Sequence, residues 1–134
     1  MEPPSLTVSR VSCRPVAGAS REPSDGRRWV ATWVLHNAGN QPLELEAAWI
    51  PHGRFRGEGR LPLSAQISAG ASQELAFVVT ADEVPGTVVD NAFLIVRLRI
   101  QQAAWRIFIR MRIEFGASAV PLPVVEAITT QSLE

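Results

Sequence analysis

Arginine is the residue through which this chain could do chemistry. All 13 basic residues are arginine and none is lysine. Arg97, Arg99, Arg106, Arg110 and Arg112 recur at alternate positions of residues 93–112, in company with Phe93, Ile95 and Phe108. Guanidinium groups are planar, permanently charged and fork-shaped, so they clamp carboxylates and phosphates and stack on aromatic rings. Interleaved with phenylalanine, they suit an acidic protein surface or the bases and phosphates of a nucleic acid. A second set lies in residues 51–60, PHGRFRGEGR. There His52, Arg54, Phe55, Arg56 and Arg60 stand against Glu58 alone, and three glycines free the backbone to reach a partner.

Each set also has a plainer reading. An arginine-only basic complement is what a GC-rich coding sequence produces. Arginines beside Glu44 and Glu46 on a neighbouring strand would form cross-strand ion pairs, each contributing only ~0.2–1 kcal/mol. Residues 51–60 could be a flexible connection with Phe55 tucked over the end of the fold.

Catalysis has no residue to rest on. Cys13, His36 and His52 are the only nitrogen or sulfur ligands, and none has a partner at close ligand spacing. Asp82, Glu83 and Asp90 flank a Pro-Gly turn without the spacing of a calcium loop. No Ser/His/Asp order, phosphate-binding glycine loop or pair of carboxylates in an apolar setting is present. The expectation is therefore a protein that is not an enzyme, with no cofactor and no metal. A single cysteine permits no intrachain disulfide.

The elements that must position the arginines are strands. Residues 28–36 put Trp29, Ala31, Trp33 and Leu35 on one face and Val30, Thr32, Val34 and His36 on the other, a period of two. Residues 42–50 continue it with Leu43, Leu45, Ala47 and Trp49 inward and Glu44 and Glu46 outward. Residues 6–13, 61–67 and 73–80 read as further strands, and 14–27 as a loop rich in turn formers. Residues 93–100 and 105–115 form the strongest hairpin. A turn at 101–104 would oppose Ile100 to Trp105, Leu98 to Ile107, Val96 to Ile109 and Leu94 to Met111. That register places the arginines and Phe93, Ile95 and Phe108 together on the other face. All four tryptophans, Trp29, Trp33, Trp49 and Trp105, fall in inward phase. Residues 116–134 form a tail able to add an edge strand.

The length of 134 residues, 46% hydrophobic and 19% charged, fits one globular domain with its core over about residues 5–115. Net charge is zero, so overall charge points to neither a polyanion nor a membrane surface. No apolar run reaches the ~18 residues a membrane helix needs, and residues 1–5 lack the basic start of a secretory signal. A cytoplasmic location follows as the expectation.

The N-x-G-x-x-P-L turn at residues 37–43 and the I-x-x-G-x-S turn at 67–72 resemble those of bacterial immunoglobulin-like sandwich modules, the adhesion-related CARDB-like class in particular. The resemblance spans about residues 28–115. It implies an all-β, antiparallel immunoglobulin-like sandwich of about seven strands, with a role in binding or display.

The functional expectation is a protein-interaction module that binds an unknown protein partner. The sites are Phe93, Arg97, Arg99, Arg106, Phe108, Arg110 and Arg112 on the sheet, and His52, Arg54, Phe55 and Arg56 in the loop. Nucleic-acid or polyanion binding through the same arginines is the second reading. A structural homo-oligomer, with Val30, Val34, Ala76 and Val78 covered by the tail or a second copy, is the third.

Overall fold

Alternation in residues 28–37 does what period two demands: in β2 (Arg28–Asn37) every second residue from Trp29 is buried. Before it runs β1 (Leu6–Pro15); after it come β3 (Leu43–Trp49), β4 (Arg56–Gly57), β5 (Leu61–Ile67), β6 (Ser72–Thr80), β7 (Val88–Ile100), β8 (Ala103–Phe115) and β9 (Pro121–Ser132). The computed structural model describes residues 2–16 and 27–133, so most of the 14–27 loop lies outside the described residues. Two antiparallel sheets, ordered β1-β2-β6-β4 and β5-β3-β7-β8-β9, pack as a sandwich. Among the described residues no helix is long and apolar enough to cross a membrane. The strand order is of the immunoglobulin type, with the two-residue β4 and the added β9 raising the strand number above the expected seven.

The core is a single cluster fed by both sheets. Trp33, fully buried, donates its indole N–H to Met111 Sδ at 3.4 Å and lies 5.5 Å from the Phe77 ring. Trp29 donates to the Ala81 carbonyl at 2.9 Å. Gly57 is required where it sits, because a Cβ there would lie 2.7 Å from Phe77.

The two sequence turns prove to be one structural unit. Asn37, with 0% exposure the only polar residue among the buried ones described, donates from Nδ2 to the carbonyls of Gln41 at 2.7 Å and Ile67 at 3.0 Å. Its Oδ1 accepts from Gly39 N–H at 3.0 Å. Its own N–H donates to Ala71 and its carbonyl accepts from Gly70. One amide thus ties the β2–β3 turn to the β5–β6 turn across the end of the sandwich.

Three expectations need correction. The β7–β8 hairpin turns in two residues, with Ile100 opposite Ala103 and Leu98 opposite Trp105. Gln101 and Gln102 both have positive φ, 48° and 74°, the combination of a tight type I′ turn. The register moves by two residues, so every side chain keeps its predicted face but changes its partner. The second correction is Trp49. A β-bulge between Leu45 and Ala47 inserts one residue into β3, which returns Ala48 and Ile50 to the core and turns Trp49 outward, opposite Ile95. Third, Phe55 is fully buried. The 51–60 segment folds back through a Pro51–Arg56 bridge and the β4–β6 pairing, and Phe55 fills the core from that end. It presents no ring to a partner.

The tail is the edge strand β9, paired with β8 from Trp105–Ser132 to Phe115–Pro121. Its two prolines are tolerated because an edge strand needs no donor on its open side. It therefore belongs to the five-stranded sheet and does not cover Val30, Val34, Ala76 or Val78 on the other.

Candidate interaction face

The outer surface of the five-stranded sheet gathers the predicted arginines. Across β7 and β8, Phe93 stands opposite Arg110, Ile95 opposite Phe108, and Arg97 opposite Arg106. Phe93 and Phe108 meet edge to face, their ring centroids 6.3 Å apart and 87° between planes. Both rings and Ile95 are half-buried among the guanidinium stems.

Glu46 governs one side of this face. As part of the bulge it sits between two arginines, accepting from Arg97 Nε at 3.2 Å and Arg99 Nε at 3.0 Å. Partial burial opposes its ionisation. The hydrogen bonds and charge of Arg99 and Arg97 outweigh that and hold the carboxyl below its ordinary value. Glu44, opposite Arg99 in register, makes no ion pair among the described residues. Two arginines thus share one carboxylate, and Arg99 also donates to the Gln102 carbonyl at 2.9 Å. Arg112 has two acidic partners, Glu126 at 3.0 Å and Glu114 at 3.3 Å.

Arg106, Arg110 and Arg60 have none among the described residues. Arg110 is exposed. Arg60 lies over the Trp49 ring at 4.4 Å and Arg106 approaches the same ring at 5.7 Å, close enough for cation–π attraction. Arg106 Nε is buried with no hydrogen-bond acceptor. Six arginines (60, 97, 99, 106, 110, 112) against four glutamates (44, 46, 114, 126) leave this face positive by two.

Trp49 is the residue that sequence reasoning missed. The signal was available: Ala47-Ala48 followed by Trp49-Ile50 breaks the alternation and marks the bulge. Two shallow depressions are lined by Arg60. One of about 360 Å³ is lined by Glu46, Ala47, Arg60, Pro62 and Arg97. The next, about 330 Å³, is bounded by Trp49, Pro51, Arg56, Gly57 and Arg60. Arg60 separates them.

The loop set divides. Arg54 forms an ion pair with Glu83, and His52 Nδ1 accepts from the Arg54 backbone N–H at 3.0 Å, a local turn. Arg60 reaches the sheet face, over the Trp49 ring, and Arg56, on β4 of the other sheet, lines the hollow beside it. Cys13, half-buried on β1, has its thiol pushed up to about 12 by burial, a hydrophobic rather than a reactive position. No group of three or more His, Cys, Asp or Glu that could hold a metal occurs among the described residues. No protein-family model matches the chain, and no curated protein matches it in sequence.

Proposed function

We propose that the chain is a non-catalytic protein-interaction module of the immunoglobulin-like type, acting in the cytoplasm through the outer face of its five-stranded sheet. The partner it fits presents carboxylates around an apolar or aromatic side chain. The observation that carries this reading is the line Arg60–Trp49–Arg106 continuing to Phe108, Phe93 and Arg110. Its arginines lack carboxylates among the described residues, and its rings are half-exposed on a sheet whose other arginines each contact a glutamate. Flat aromatic surface with unengaged arginine is the composition of interface hot spots.

A polyanion is served less well. Glutamates 44, 46, 114 and 126 interrupt the positive track, and a phosphate backbone would pass beside each of them.

The test is affinity capture from lysate of the source organism, with and without nuclease. The bait is the wild-type chain, an Arg106→Glu/Arg110→Glu variant, or an Asp82→Asn control altered at an exposed position between β6 and β7, outside this face. Defined proteins held by wild type and control through nuclease, and lost by the double reversal, support the reading. Loss of all bound material with nuclease establishes polyanion binding instead. Retention by the double reversal overturns the assignment to this face.

A further inference from the structure

The four-stranded sheet turns a second face to solvent, and its charges are arranged to match themselves. In register across β1, β2 and β6, one row reads Arg10, Val34, Glu74. Opposite charges thus stand at the two edges of the same row, with a valine between them. Arg10 and Glu74 are both exposed, and neither has an ion-pair partner among the described residues. The rows beneath are uncharged in the centre, where Thr32 pairs with Ala76 and Val30 with Val78. Arg14 closes the β1 edge opposite Val30. No strand among the described residues lies over this face, since β9 is committed to the other sheet.

We propose that this face pairs with its counterpart in a second copy of the chain, about a twofold axis running along β2, so that Arg10 of each copy meets Glu74 of the other. A twofold interface uses one patch twice, so it must be complementary to itself. Two axes in the plane of the sheet can be compared. An axis along β2 keeps each row opposite itself and exchanges β1 with β6. It makes the Arg10–Glu74 contact twice, stacks Val34 and Val30 on their own copies, and faces Arg14 with Val78. Glu58, whose backbone N–H bonds the Val78 carbonyl, lies beside that contact. An axis across the strands through the Thr32 row would set β1 on β1, with Arg10 against Arg14 twice. Like charges in register are strongly disfavoured. The charge pattern therefore selects the first arrangement, and the ~30° rotation usual between packed sheets leaves the rows facing.

Three strands at ~4.8 Å spacing and nine residues at ~3.3 Å give roughly 430 Å² per copy. The pair stays below the ~1,200 Å² of stable complexes, which sets a weak, concentration-dependent dimer. It leaves the arginine face of the other sheet free, so the two proposals stand or fall separately.

The test is sedimentation equilibrium of the full chain from about 10 µM to about 1 mM, bracketing the affinity of a weak association. Wild type is expected to shift from monomer to dimer over that range. Arg10→Glu and Glu74→Arg, each alone, should weaken the dimer by about tenfold or more. Mixing the two variants should restore association, because the mixed pair alone brings opposite charges together at both contacts. Circular dichroism melts of the separate variants confirm that these exposed positions leave the fold intact. A wild-type mass that stays monomeric throughout, a dimer indifferent to both reversals, or two reversals that mixing does not rescue would each overturn the proposal.

Discussion

Replacing Asn37 tests whether one amide holds the end of the sandwich. Asn37→Ala removes two donated bonds and one accepted bond at a fully buried position. At roughly 0.5–1.5 kcal/mol net for each, the loss should be about 3 kcal/mol. For a domain of this size that corresponds to a Tm lower by roughly 10–15 °C. Asn37→Asp is sharper, because it keeps the shape and changes only the donor. A protonated carboxyl can still donate once, but a carboxylate would point at the Gln41 and Ile67 carbonyls at 2.7 and 3.0 Å. Burial against two carbonyl oxygens raises the folded-state pKa of such an aspartate. Above the unfolded value of about 3.9 the folded state then holds more protons than the unfolded state. Stability falls with pH by up to about 1.4 kcal/mol per pH unit until the folded-state pKa is passed. The assay is urea unfolding followed by tryptophan fluorescence, with Trp29 and Trp33 as buried reporters, run for wild type and both variants between pH 4 and pH 7. The variant-minus-wild-type difference for Asn37→Asp should widen steadily over that range. A difference flat with pH, or an Asn37→Ala cost under about 1 kcal/mol, would refute the account of Asn37 as the tie between the two turns.

Three further outcomes follow from particular contacts. Gln101→Asn with Gln102→Gly supplies residues that accept positive φ at both turn positions, and should raise stability by about 1 kcal/mol in the same urea assay. Cys13, whose thiol burial raises from 9.0 to about 12, should react with iodoacetamide at pH 8 roughly a thousandfold more slowly in the native chain than in urea; equal rates would place the sulfur in solvent. Glu46→Gln should cost under about 1 kcal/mol, since the pair is a third exposed. Because the folded-state carboxyl is held below its ordinary 4.5, the wild-type advantage should be complete above that value and vanish as pH falls through the lowered one.

The sandwich was legible because its signals are redundant. Trp29, Ala31, Trp33 and Leu35 in β2 and the 93–115 hairpin each carry period two over many residues, and a two-residue error in the hairpin turn left every face correct. The error itself has a cause. Gln101-Gln102 lacks the Asn-Gly chemistry that announces a tight turn, and the small Ala103 and Ala104 imitate loop residues. Phe55 was legible only as one of two alternatives, a partner contact or a ring tucked over the end of the fold, because a lone aromatic among glycines has no period; the Pro51–Arg56 bridge accompanies its burial. The tie through Asn37 joins residues 30 apart in sequence, a distance over which local turn chemistry says nothing.

The candidate site was half legible, and the missing half has one origin. Period-two reasoning fixes the faces of β7 and β8, so the arginines and phenylalanines of those strands fall where expected. It fails at the bulge in β3, because one added residue inverts the phase of everything after it. That inversion does two things to the same surface. It carries Glu46 into position between Arg97 and Arg99, which gives those two arginines one shared carboxylate. It also carries Trp49 out of the core and under Arg60 and Arg106. A regular β3 would leave Glu46 facing Arg97 and Glu44 facing Arg99, each cation with its own anion, and would bury the tryptophan. The bulge therefore leaves Arg97 and Arg99 sharing one carboxylate on the β3–β7 side, and supplies an aromatic floor beside β8, where Arg60 and Arg106 have no carboxylate among the described residues. The partner is therefore expected over Trp49, Arg106 and Arg110, where the cations have no carboxylate among the described residues, rather than over Arg97 and Arg99, which hold Glu46 between them.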